Sequence, residues 1–315
     1  MSSTSTDWSQ NGRGQRHPVA GWAYTARSTP TALDIDLESG DVTVVTDDGR
    51  LHLLGSDGTL RTDPLALDAG PALAWADSAI GGVVQLGPRR AGWISRDGQV
   101  QWTVDCHDQI LDVATAPFGN AIAISFADRH NVVLDSNQKP IGEFTSIRPL
   151  KFLELASHRP IVVGAAESGL LSSHTIDGHD RWSEQIWTNV GGMAINRNCR
   201  TVLLAAFNHG LQRFNHRGRG QGFYDIEGTA NVVSISYIGT IIAAATQEEQ
   251  FRLLDLDGNT LWQAQLPEPL VTLQCGPFGE HVVFGFSSGL IQCLKWPPWS
   301  RKTGSGADAG HSSTS

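Results

Sequence analysis

Short apolar runs recur along this chain from about residue 30 to residue 295, with polar side chains at alternate positions or at their ends. The first full set reads TALDIDLE, DVTVVT, RLHLLG and TLRTDPL between residues 31 and 65. A two-residue period is the mark of a β-strand, whose successive side chains point to opposite faces. No segment of helical period and length interrupts the series, so the pattern predicts an all-β chain and gives an α/β fold no support.

The turns between the runs keep time. Asp57-Gly58 is followed by Asp97-Gly98, Ser136-Asn137, Asp177-Gly178, Arg217-Gly218 and Asp257-Gly258, at intervals of 40, 39, 41, 40 and 40. Asp-Gly between alternating runs is a hairpin signal, because glycine accepts the positive φ such turns demand. Trp102, Trp182 and Trp262 each fall five residues after the Asp of their turn. A second set of turns is marked by Gly49, Gly169, Gly210 and Gly289, and Pro117-Phe118-Gly119 recurs as Pro277-Phe278-Gly279. Each unit of about 40 residues therefore reads as four antiparallel strands, A to D, which is the blade of a β-propeller.

Strand A begins near Ala32, Ala72, Ile110, Leu150, Val190, Asn231 and Leu270, which predicts seven blades. The seventh runs into Trp296-Pro297-Pro298-Trp299. Two prolines cannot supply ladder donors, so that blade lacks its own strand D. The missing strand is expected at the other end of the chain, in HPVAGWAYTA (His17–Ala26), with Trp22 in the place of the other D-strand tryptophans. The expected organisation is a disordered tail over 1–16, one propeller over 17–299 closed by residues 17–27, and a second disordered tail over 300–315. Both tails are rich in Ser, Thr and Gly and carry little apolar surface.

The tags SRDGQVQW (Ser95–Trp102), TIDGHDRW (Thr175–Trp182) and DLDGNTLW (Asp255–Trp262) resemble WD40 and related quinoprotein-like propeller repeats, nearer to the quinoprotein-like group, over about residues 17–296. The chain has no Trp-Asp dipeptide and no Gly-His at the unit starts. The resemblance implies a loop face, built from the D–A and B–C connections, that hosts ligands. Carried over by position, that face holds Arg89, Arg90, Asp128, Arg129, His130, His209, Glu248 and Glu249, with Asp105, His107 and Asp108 in a D–A link. Quinone enzymes of the resembling group carry eight blades, an export signal and a vicinal cysteine pair. None of these is present, so no cofactor is expected.

Composition narrows the partners. The net charge of −9 and the absence of a basic run argue against tracking nucleic-acid phosphates. No stretch reaches the apolar length of a membrane helix, and the first residues have no apolar signal-peptide core. Cys106, Cys199, Cys275 and Cys293 form no CxxC pair and read as reduced, mostly buried thiols, which predicts a cytoplasmic protein.

The chemical signals have plainer readings. Asp255-Leu256-Asp257-Gly258 is faintly like a calcium loop but lacks the further oxygen ligands, so a turn is expected. The periodic tryptophans are expected to pack between blades. Asp105, Cys106, His107 and Asp108 with Asp128 and His130 are types that ligate zinc or move protons, but their spacing matches no metal motif, so no metal is expected. No GxSxG nucleophile elbow is expected, and phosphate-loop and HExxH patterns are absent. WPPW reads as a cap over the last blade or as a short recognition element. The leading expectation is a non-enzymatic scaffold that docks a protein or peptide on its loop face. The alternatives are a hydrolase or lyase with a site in the central funnel, using His107, Asp108, His130 or His209, and a small-ligand sensor.

Overall fold

Glycine spacing sets the architecture. The structure, a computed structural model, describes residues 8–297. At the C–D turns, Gly58, Gly98, Gly178, Gly218 and Gly258 have φ between 76° and 91°. In the third blade Gln138 takes this position, with φ 59°. The turn there is Asn137-Gln138, one residue later than the expected Ser136-Asn137, and the period becomes a uniform 40. Local hydrogen bonds hold the strained residue: Asp135 Oδ1 accepts from the Asn137 and Lys139 amides at 2.8 and 2.9 Å. The tag at Asp255 works the same way, accepting from the Asp257 and Asn259 amides at 3.0 and 2.8 Å, and is a turn.

The strands form seven antiparallel sheets around one axis. Innermost in each is strand A: Pro30–Ile35, Ala69–Trp75, Ile110–Thr115, Phe152–Leu155, Val190–Ile195, Ala230–Ile235 and Leu270–Cys275. Neighbouring A strands contact one another around the whole ring, including the seventh against the first. The core is divided into seven apolar clusters, one between each neighbouring pair of blades. This explains the wholly buried B strands, such as Ile241–Thr246, which are covered on both faces.

The ring closes as the sequence predicts. Val19–Thr25 pairs antiparallel with Leu290–Lys295, and Trp22 lies opposite Cys293. The expected disordered tail over 1–16 is corrected from Trp8 onward. Trp8–Asn11 forms a 3-10 turn, and Arg13–Gly14 pairs with Gln263 and Trp262 on the outer edge of blade six. The cause is the closure itself. At other seams the strand D residue of one blade is covered by the C–D turn of the next, as Trp22 is by Gly58 and Trp182 by Gly218. Blade seven takes its strand D from the start of the chain and has no C–D turn, so Trp262 would face water. Residues 8–16 cover it instead, with Gly12 so close that a Cβ there would overlap the Trp262 ring.

Trp8 stacks obliquely on Trp262 at 5.8 Å and edge-on against Phe284 and Phe286 at 5.5 and 6.2 Å. Its Nε1–H donates to Gln292 Oε1 at 2.8 Å. Trp296 is buried on the same cluster, 5.7 Å from Trp262, so it caps the blade; Pro298 and Trp299 lie outside the described residues. Truncating a core aromatic of this kind costs about 3–5 kcal/mol. No helix among the described residues is long and apolar enough to cross a membrane.

Candidate functional site

Two ends of the ring present different chemistry. The D–A and B–C connections form one face, and the A–B and C–D turns the other. All eleven sequence-predicted residues stand on the D–A and B–C connections or at the strand ends beside them, and none lines the central cavity.

Blades two and three bring seven of them together. Arg90 Nε donates to Asp105 Oδ1 at 2.7 Å, and Arg89 Nη2 to Asp108 Oδ1 at 3.4 Å. His107 Nε2 lies 3.0 Å from Asp128 Oδ2, and its ring packs 4.5 Å from Phe126 and 5.0 Å from His130. The His130 amide, followed by His107, holds the Asp128 carboxyl below its usual range. His107 and Asp128 are about half exposed, so the hydrogen bond that joins the D–A link to the B–C turn is solvated.

The others serve their own turns. Glu248 accepts from the Thr229 amide and hydroxyl at 2.7 and 2.9 Å, tying two connections together. Arg129 and Glu249 occupy the left-handed turn position that Gly49, Gly169 and Gly289 fill elsewhere, with φ 77° and 61°. His209 ends a short 3-10 turn in blade five, apart from the histidines of blade three.

Sequence reading passed over the most exposed apolar residues of this face. Trp187 is 89% exposed and Ile147 67%. They occupy equivalent positions in consecutive D–A links, one period apart. Their signal was available: large apolar residues in links that are otherwise polar.

The cavity on the ring axis, about 220 Å³, opens toward the A–B turns and is lined by the C-terminal ends of all seven A strands. Four carboxyls face it: Asp34, Asp77, Asp112 and Glu154. Asp34 Oδ2 accepts from the Trp75 amide and Asp112 Oδ2 from the Leu153 amide, both at 2.7 Å. Each bond joins strand A to the next blade. Ser234 repeats the device, accepting from the Cys275 amide at 3.0 Å. Glu154 has no hydrogen-bond partner among the described residues.

These groups are reached by water in the cavity but lie deep behind low-dielectric walls. Burial raises Asp34 to about 6 against the opposing Trp75 and Ile35 amides. Burial raises Asp112 to about 7, and burial with the charges of Asp34 and Asp36 raises Asp77 to about 7. Glu154 is pushed well above its usual range by burial and then by Asp34, Asp112 and Asp77. The cavity therefore holds protons at neutral pH. Among the described residues the lining includes Arg197 and no histidine.

Gly285-Phe286-Ser287-Ser288-Gly289 spells the GxSxG string of a nucleophile elbow, but it is a B–C hairpin turn. Both hydroxyls donate to Glu268, Ser287 at 3.3 Å and Ser288 at 2.6 Å, and no helix follows. Among the described residues no group of three or more His, Cys, Asp or Glu side chains is placed to hold a metal ion. No protein-family model matches this sequence, and no curated protein matches it at a significant level.

Proposed function

We propose that this propeller is a non-enzymatic docking platform that binds a protein or peptide on its D–A and B–C face. The supporting observation is Trp187, 89% exposed, one period from Ile147 in the neighbouring link. An indole held out in water from a rigid scaffold is a binding anchor, because it offers large area at little cost in conformational entropy. The charged rim on blades two and three (Arg89, Arg90, Asp105, His107, Asp108, Asp128) and Arg129 supply polar specificity around that anchor. His130, His209, Glu248 and Glu249 complete the rim. The repeat tags' likeness to WD40 and quinoprotein-like units supports the same use of this face by analogy. The four free cysteines support a reducing compartment, and with it the cytoplasm.

A second reading places docking on the A–B face, where Phe118 and Phe278 are 73% and 65% exposed. One comparison separates them. Full-length protein, a loop-face variant (Trp187→Ala with Ile147→Asp) and an opposite-face variant (Phe118→Asp with Phe278→Asp) are used to recover partners from the native cell. The platform reading expects a partner lost by the loop-face variant and kept by the other. A partner lost only by the opposite-face variant moves the site, and no partner above background overturns the reading.

A further inference from the structure

Blade one has a shortened strand D. Its pairing with strand C is interrupted: Leu60 bridges Leu54 and the Arg61 amide donates to the Leu53 carbonyl, and the ladder resumes only at Leu65–Ala66, because Pro64 has no N–H to give it and Thr62 stands where four other blades carry tryptophan. The chain leaves the sheet over residues 62–64. Beneath it, a cleft of about 370 Å³ opens between blade one and the closing strand. That volume is within the range of small-ligand sites.

The floor of the cleft is a directional hydrogen-bond chain. Asp48 can only accept, so the single Thr46 proton, 2.6 Å from Asp48 Oδ1, goes to it. Thr46 Oγ1 must then accept from His52 Nε2 at 3.3 Å. Burial holds His52 below its usual range, so the ring is neutral and its Nδ1 carries no proton. Tyr24 Oη therefore donates to Nδ1 at 3.0 Å. Its proton committed, the Tyr24 oxygen is left as an acceptor at the cleft.

Above this floor the walls carry both charges. Arg27 has no hydrogen-bond or ion-pair partner among the described residues, and Arg50 is held only by Asp48 at 3.3 Å. Asp63 faces the same space unpaired, and Leu60 and Pro64 supply an apolar wall. Two guanidiniums call for a carboxylate; an acceptor-only phenol and a free carboxylate call for an ammonium.

We propose that this cleft binds a small zwitterion of the free α-amino-acid class, its carboxylate on Arg27 and Arg50 and its ammonium toward Tyr24 and Asp63. This site is built from residues of blade one and the closing strand, none of them in the proposed docking set, and stands whether or not that reading holds.

The test uses the full-length protein and saturation-transfer NMR, with each proteinogenic amino acid offered singly at up to about 10 mM, the weak limit of specific binding. At least one with an apolar side chain is expected to bind. For L-leucine as probe, 4-methylpentanoate lacks the ammonium and 3-methylbutylamine the carboxylate, and each should bind at least about tenfold more weakly. Arg27→Ala, at an exposed residue without partners, should fold normally and lose about tenfold in affinity, with Arg27→Lys recovering part of it. Absence of binding by every amino acid overturns the proposal. So does binding that survives Arg27→Ala unchanged, or analogues that bind as well as the amino acid.

Discussion

The two ends of the ring handle charge in opposite ways. On the D–A and B–C face, carboxylates sit beside cations and amides in open solvent, as Asp105 does with the Arg90 guanidinium and Asp128 with the His130 amide. On the axis, Asp34, Asp77, Asp112 and Glu154 face one another across a small cavity whose lining includes a single cation, Arg197, among the described residues. The same side-chain type is ionised and solvated at one end and pushed toward its neutral form at the other. The difference teaches which carboxyls respond to solvent and which to the fold. Surface pairs order the connecting loops, while Asp34 and Asp112 tie strand A of one blade to the next.

The largest expected effect follows from the sign of these shifts. The cavity carboxyls titrate higher folded than unfolded, so their contribution is full below about pH 4 and is lost as pH rises through about 6 to 7. Stability should fall by about 3 kcal/mol between about pH 5 and about pH 8, allowing for partial hydration. Thermal melts across that range check it, and a flat profile would break the contrast between the ends. Asp128 on the loop face has the opposite sign, contributing above about pH 4 and fading only in acid.

A smaller effect comes from Glu154→Gln, which keeps the shape and removes the charge. Melting should rise at about pH 8 by the equivalent of about 1 kcal/mol and change little at about pH 5. A lower melting temperature at the higher pH would mean that the carboxylate is stabilised by its surroundings. Smaller still, Arg90→Ala removes an ion pair whose partners are both more than half exposed, and should cost under about 0.5 kcal/mol. Chemical denaturation resolves a loss of that size; one several times larger would show that the loop-face pairs hold the fold. Trp187→Ala should leave stability within about 0.5 kcal/mol, since the indole touches mainly water.

Much of the fold was legible because the repeat is carried by local chemistry. Turn glycines, alternating runs and a Pro-Pro break each act within a few residues of themselves, and they fixed seven blades and the closing strand at Val19–Thr25. The order of residues 8–16 was not legible. Trp8 depends on Trp262, which only ring closure brings to it. The loop-face positions of Arg89, Asp105 and His107 followed from the period, but their pairing depends on loop conformations that the period does not specify. The axis carboxyls were hidden for another reason. In TALDIDLE, Asp34 occupies a place that strand alternation assigns to solvent, and only a closed ring makes that side internal. Aligning the A strands at 40 residues would have exposed it: Asp34, Glu154 and Gln274 stand in register with Ala74, Ala114 and Ala194. The cleft beside blade one was marked by Pro64 inside an expected strand D, a conflict between pattern and donor chemistry.

The most direct test of the docking account is a hydrogen-exchange map of the full-length protein alone and with its recovered partner. Slowed exchange in the D–A links around Ile147 and Trp187, with the A–B turns around Phe118 and Phe278 unchanged, is the predicted result. Protection at those A–B turns with the D–A links unaffected would contradict it.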